Sequence, residues 1–174
     1  MKTGKITVTA ILLSLSFAIS LLESCVPVNA LIPIPGLKLG LANIAVMAAF
    51  FLCGRYSALC VAVFRPVMTL LLFGNVTSFI LSMSGSLLSF CGLLLSSLLY
   101  DRLFSFGGIS VISAVLHAAG QIVAASFVVS DGAVYSYLPL LAAASSATGL
   151  LNGMIMNGVY DRVCVIYKKK GRTK

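Results

Sequence analysis

The sequence predicts an all-α integral membrane protein, a bundle of six transmembrane helices, and three observations predict it. Apolar residues make up 60% of the chain and the mean hydropathy is +1.10. Charged residues are only 9%, too few to give a folded domain a water-facing surface. The apolar residues also run in continuous stretches close to the ~20 residues a helix needs to cross the hydrocarbon layer. Strands of a membrane barrel would instead alternate apolar and polar positions. The 174 residues accommodate six such stretches with short loops, as one domain over residues 1–174.

Lys2 and Lys5 precede the first span, at 6–22. That run resembles a secretion signal, but Glu23 is wrong for the lipoprotein cleavage site suggested by Ser24 and Cys25, and five further spans follow. It reads as a retained helix. Ala10, Ser14 and Ala18 recur every four residues, which places a smooth groove on one face where another helix can approach closely. An outer lid loop is expected over 23–38. Pro33 and Pro35 forbid regular helix there, while Gly36 and Gly40 permit tight turns and the close approach of a ligand.

The second span, 39–53, is short. The third, 57–73, carries Arg65 and Pro66 near its middle, and Gly74 with Asn75 turns the chain into the fourth, 76–99. Ser78, Ser82, Gly85, Ser86, Ser89 and Gly92 make that span suited to tight helix packing. The fifth, 109–130, contains His117 and Gln121. Asp131 and Gly132 turn the chain into the sixth, 138–160, where Ser145, Gly149 and Gly153 repeat at four-residue spacing. A basic cytoplasmic tail, 161–174, follows.

Charge sets the orientation. With the N-terminus inside, Lys2, Lys5, Arg55, Arg102 and the six basic residues of 162–174 are cytoplasmic, Lys38 alone is outside, and Arg65 is intramembrane. Ten against one is a strong positive-inside bias. All six tyrosines fall at or just beyond span ends, as an interfacial belt requires. The expected topology is multi-pass in the plasma membrane with both termini cytoplasmic. The net charge of +8 is concentrated in the tail, where it suits anionic lipid headgroups. No aromatic–basic interleaving offers a platform for nucleic-acid bases.

The chemistry-bearing residues are few. The five cysteines form no C-x-x-C pair and mostly lie in or at the ends of apolar runs, where they act as small hydrophobes, so neither a metal site nor a redox site is expected. The four acidic residues, at 23, 101, 131 and 161, are scattered, and no catalytic constellation, phosphate-cradling loop or cofactor motif is present. Arg65 and His117 are the ionisable residues deepest in the bilayer, and each lies about 12–14 Å from the cytoplasmic end of its helix. Gln121 lies one turn outward from His117 on the same face, Asn43 nearer the outer surface and Asn152 nearer the inner.

Intramembrane charge by default marks a site or a pathway. The architectural reading is that Arg65 satisfies carbonyls freed by Pro66 and that His117 bonds to the serine-rich fourth helix. No acidic partner is expected at the depth of Arg65 and a protonated His117, with Glu23 at the outer end of its helix. An anionic group on a substrate would compensate them. Gly36, Lys38, Asn43, Arg65, His117 and Gln121 are thus the candidate substrate-binding residues, for a small carboxylate or phosphate entering from outside.

The six short helices, the small-residue stripe and the proline–glycine lid resemble the substrate-binding components of energy-coupling-factor transporters. In that family an Ala-x-x-x-Ala-type motif on the first helix docks on a transmembrane coupling subunit that works with ATPase subunits. The resemblance assigns that role to Ala10, Ser14 and Ala18. More specifically, GLKLGLAN at 36–43, Arg65, LLFG at 71–74 and HAAGQ at 117–121 resemble the Gx transporter family, also labelled heptaprenyl diphosphate synthase component I. The two labels imply different chemistry. Prenyl diphosphate synthesis needs clustered aspartates to hold Mg²⁺ on a diphosphate, and no D-D-x-x-D run exists here, so the chain is at most a non-catalytic accessory to a separate catalytic subunit. The sequence favours an uptake-transporter subunit, with the accessory subunit as the alternative. A purely structural scaffold would explain the packing but not Arg65 together with His117.

Overall fold

The structure is a computed structural model describing residues 2–25, 38, 40–98 and 105–171, with the side chains of residues 2, 3, 25, 161 and 163–171 left undescribed. The described elements are helical: α1 (Lys2–Cys25), α2 (Asn43–Cys53), α3 (Arg55–Phe73), α4 (Val76–Ser97), α5 (Phe106–Val129), a 3-10 turn at Gly132–Tyr137, and α6 (Leu138–Gly171). Five stretches are long and apolar enough to cross a membrane: Gly4–Ser24, Arg55–Phe73, Val76–Ser97, Phe106–Val129 and Gly132–Tyr160. At 11 residues, α2 rises only about 16 Å, so it spans roughly half the hydrocarbon layer by itself. The expected bundle is therefore realised as five full-length helices and one short one among the described residues.

Local chemistry explains the breaks. Gly54 has φ of +107° and Gly74 φ of +64°, conformations open to glycine at little cost, and both end helices. Asn75 caps α4 by accepting from the Ser78 N–H at 2.9 Å, and the Asp131 carboxylate accepts from the Ala133 N–H at 2.8 Å to start the 3-10 turn. α1 continues through Cys25, so Glu23 is helical rather than the first residue of a loop. α6 reaches Gly171, 34 residues in all, or about 51 Å, longer than the hydrocarbon layer is thick.

Polarity is arranged inside out, as a lipid-facing bundle requires. Ile6, Leu22, Leu71, Leu95, Phe127 and Met154 are exposed, whereas Arg65, His117, Gln121, Asn152 and a set of serines are buried. The chain is a membrane-spanning helical protein. Helix α5 packs between α4 and α6, and small residues set the approach distances. A Cβ on Gly120 would lie 2.8 Å from the Ser84 carbonyl oxygen, and one on Gly149 2.8 Å from the Val111 Cα, so both crossings are close backbone contacts. Ser89 and Ser113 share a hydrogen bond of 2.7 Å across the first of them.

Candidate functional site: a buried polar cluster around residues 38 to 43

The backbone leading into α2 is not regular helix, and it is buried, with Lys38, Gly40, Ala42 and Asn43 all inside the bundle. Non-helical backbone at that depth must find partners within the protein, and four side chains from three helices supply them. The Lys38 N–H donates to Gln121 Oε1 on α5 at 3.3 Å. The Gly40 carbonyl accepts from Asn152 Nδ2 on α6 at 3.4 Å. The Leu41 N–H donates to Glu23 Oε1 on α1 at 2.6 Å, and the Ala42 carbonyl accepts from Ser16 Oγ on α1 at 3.3 Å. Gly40, at φ +84°, makes the bend that lets the chain turn into α2. Gly40 itself is closely packed: a Cβ there would lie 3.3 Å from both Asn43 Nδ2 and His117 Cδ2.

Arg65 projects from α3 into the same cluster and is 4% exposed. Its Nη1 donates to Asn43 Oδ1 at 3.5 Å, and its Nη2 donates to Ser86 Oγ on α4 in a short hydrogen bond. Both acceptors are neutral and neither is a carbonyl freed by Pro66, so the expected carbonyl partnership is replaced by two side chains. Glu23, by contrast, is buried and acts electrostatically on both Arg65 and Lys38. The expectation that Glu23 is too far out to compensate Arg65 is thus corrected. Helix α1 extends one turn beyond the expected end, and Leu41 and Ala42 bond to it through their backbone. Even so, no ion pair within 4.0 Å joins the described acid to either cation.

Gln121 fixes the state of His117. The Lys38 N–H can only donate, so Gln121 Oε1 faces it and the amide NH₂ faces His117 Nε2, 2.9 Å away. That ring nitrogen must accept, which makes His117 a neutral imidazole with its proton on Nδ1. The sequence leaves the charge of His117 open, and this hydrogen bond suits the neutral form. Gln121 holds the Lys38 backbone and His117 accepts from the other end of the Gln121 amide, while His117 Nδ1 is buried without a partner among the described residues. Asn43 is the first residue of α2 rather than a turn inside it. Asn152, expected nearer the inner surface, reaches the same level as Gly40.

Of the nine residues singled out from sequence, Lys38, Asn43, Arg65, His117 and Gln121 converge here. Gly36 and the prolines of the lid lie outside the described residues. Ala10, Ser14 and Ala18 are exposed on α1, on the face opposite Ser16, Ser20 and Glu23. Ser14 Oγ bonds back to the Ala10 carbonyl at 3.0 Å, so its hydroxyl is satisfied within the helix. Sequence reasoning missed Ser16, Ser86 and Glu23 as members of the cluster, and the Ser16–Ser20–Glu23 spacing on one face of α1 was the available signal. Among the described residues no group of three or more His, Cys, Asp or Glu could hold a metal ion.

Spanning helices wrapped around a buried polar cluster define an integral membrane protein. Residues 12–159 match the family described as heptaprenyl diphosphate synthase component I, and the chain belongs to that family. The family is one of non-catalytic accessory components, and the chain is not itself an enzyme. Comparison with curated proteins and with solved structures finds no match.

Proposed function

We propose that the chain is a non-catalytic membrane subunit of a heptaprenyl diphosphate synthase, anchored in the plasma membrane with both termini cytoplasmic. The observation that carries this reading is the family match across residues 12–159. The sequence supports the division of labour, because it has no aspartate cluster to hold Mg²⁺ on a diphosphate, so the catalytic partner brings that chemistry. A long prenyl chain partitions into the bilayer, and a membrane subunit places its partner where such a product leaves. The test is co-purification with the catalytic prenyltransferase subunit from the same cells, followed by an elongation assay. Stable association and a longer product, or faster turnover, are expected only with both chains present. No association and an unchanged product would refute the reading.

A second reading, the substrate-binding subunit of an energy-coupling-factor-type uptake transporter, is favoured by two specific observations. The polar cluster is enclosed at the level of residues 38–43, and the Ala10–Ser14–Ala18 face of α1 is open to a helix of a coupling subunit. In this reading the cluster binds a small anionic metabolite and ATPase subunits drive its release. ATP-dependent uptake by vesicles carrying the chain with a coupling module would support it. Assembly with the module unchanged by Ser14→Trp would remove its docking surface.

A further inference from the structure

The cluster around residues 38–43 holds two cations against one acid. Lys38 and Arg65 are 8% and 4% exposed, Glu23 is 5% exposed, and the hydrogen bond from Gln121 keeps His117 neutral. The donors outnumber the acceptors as well. Arg65 carries five N–H groups and reaches only Asn43 Oδ1 and Ser86 Oγ through its two terminal nitrogens. Lys38 is bonded through its backbone N–H, with no hydrogen bond or ion pair from its ammonium group among the described residues. Asn43, 6% exposed, has its Nδ2 buried without a partner. A buried cation and a buried amide left without acceptors are costly, and the one nearby carboxylate is engaged with the Leu41 N–H.

We propose that Lys38, Asn43 and Arg65 form a binding site for one singly charged oxyanionic group, a carboxylate or a phosphodiester-type phosphate, and that Glu23 sets its charge selectivity. One negative charge brings the cluster to neutrality. Its oxygens supply the acceptor that Asn43 Nδ2 lacks among the described residues and add charged acceptors for the Lys38 ammonium and the Arg65 guanidinium. A group carrying two or more charges would meet the Glu23 carboxylate in a low-dielectric interior, where like charges repel strongly. The site is independent of whether the partner is a synthase or a transport module, and its test makes no use of either.

The experiment uses the full chain in lipid nanodiscs, with titration calorimetry and thermal unfolding in the presence of benzoate, dimethyl phosphate or inorganic diphosphate. Benzoate and dimethyl phosphate separate a carboxylate source from a phosphate source. Saturable binding of at least one, tighter than that of diphosphate, is expected. Lys38→Gln should weaken that binding about tenfold, the equivalent of about 1.4 kcal/mol, while Lys38→Arg retains it. Glu23→Gln should move the other way, tightening the monoanion and narrowing its advantage over diphosphate. A purely architectural cluster would give no saturable binding of either monoanion. Preference for diphosphate in the parent, indifference to Lys38→Gln, or weaker binding in Glu23→Gln would each overturn the proposal. Arg65→Gln is not needed for the decision, so loss of the bundle in that variant leaves the test intact.

Discussion

Gln121 makes two bonds in the cluster, one through each end of its amide. Replacement by leucine keeps the apolar volume but strands the Lys38 N–H and His117 Nε2. Each unsatisfied buried group costs about 1–3 kcal/mol; the first lies in the segment that leads into α2 and the second on α5. Gln121→Leu is expected to lower the thermal midpoint of the detergent-purified protein by several degrees. Gln121→Glu should be damaging as well, because a carboxylate keeps the acceptor for the Lys38 N–H but has no N–H to donate to His117 Nε2. Asn152→Leu removes one bond, to the Gly40 carbonyl, so its effect should be the smaller. A thermal midpoint for Gln121→Leu equal to the parent would show that the 38–42 segment is held by other means. Arg65 and Asn43 were legible from the sequence at this scale, since an intramembrane charge or amide draws attention on its own. Glu23 was not. At the end of an apolar run it looks interfacial, and its burial depends on a segment fifteen or more residues later folding inward, a tertiary event that no local pattern records.

At the scale of the element, the small residues of α4, α5 and α6 are not equivalent, and the structure sorts them. Gly120 faces the α4 backbone, where an added Cβ would come within 2.8 Å of the Ser84 carbonyl oxygen and 3.0 Å of the Gly85 Cα. Neither atom can swing aside as a side-chain tip would, so Gly120→Ala must part the two helices. Gly158 on α6 has nothing within 4 Å of its added Cβ. There alanine should be neutral or stabilise by about 0.5–1 kcal/mol, from backbone entropy alone. Thermal unfolding of the two variants in one detergent should therefore shift in opposite directions, or fall for Gly120→Ala alone. Equal losses would mean that helix flexibility rather than the crossing governs both. The existence of these helices was readable from the apolar runs. Which small-residue face turns inward was not: on α1 the Ala10–Ser14–Ala18 stripe faces out and the Ser16–Ser20 pair faces in, although both have the spacing of a packing face. Polar partners decide the matter, because Ser16 has the Ala42 carbonyl to donate to and Ser14 has only its own helix.

At the scale of the whole molecule, α2 is too short to cross the hydrocarbon layer by itself, and this bears on topology. With α2 and residues 38–42 together counted as one crossing, six passes bring both termini to one side. If α2 were merely a half-inserted helix returning to the side it came from, the five long stretches alone would leave the termini on opposite sides. The positive-inside count favours the first arrangement, since it puts Lys2, Lys5, Arg55 and the basic end of α6 on the same face. The length of α6 agrees, because a helix of 34 residues outreaches the ~30 Å hydrocarbon layer and carries its lysine run clear of it. In a variant freed of its five cysteines, a single cysteine introduced at Val28 should react with a membrane-impermeant maleimide on intact cells. One at Lys169 should react only after permeabilisation, and one at Lys2 should behave like Lys169. Reaction of the Lys2 and Lys169 probes from opposite sides would mean that α2 does not complete a crossing.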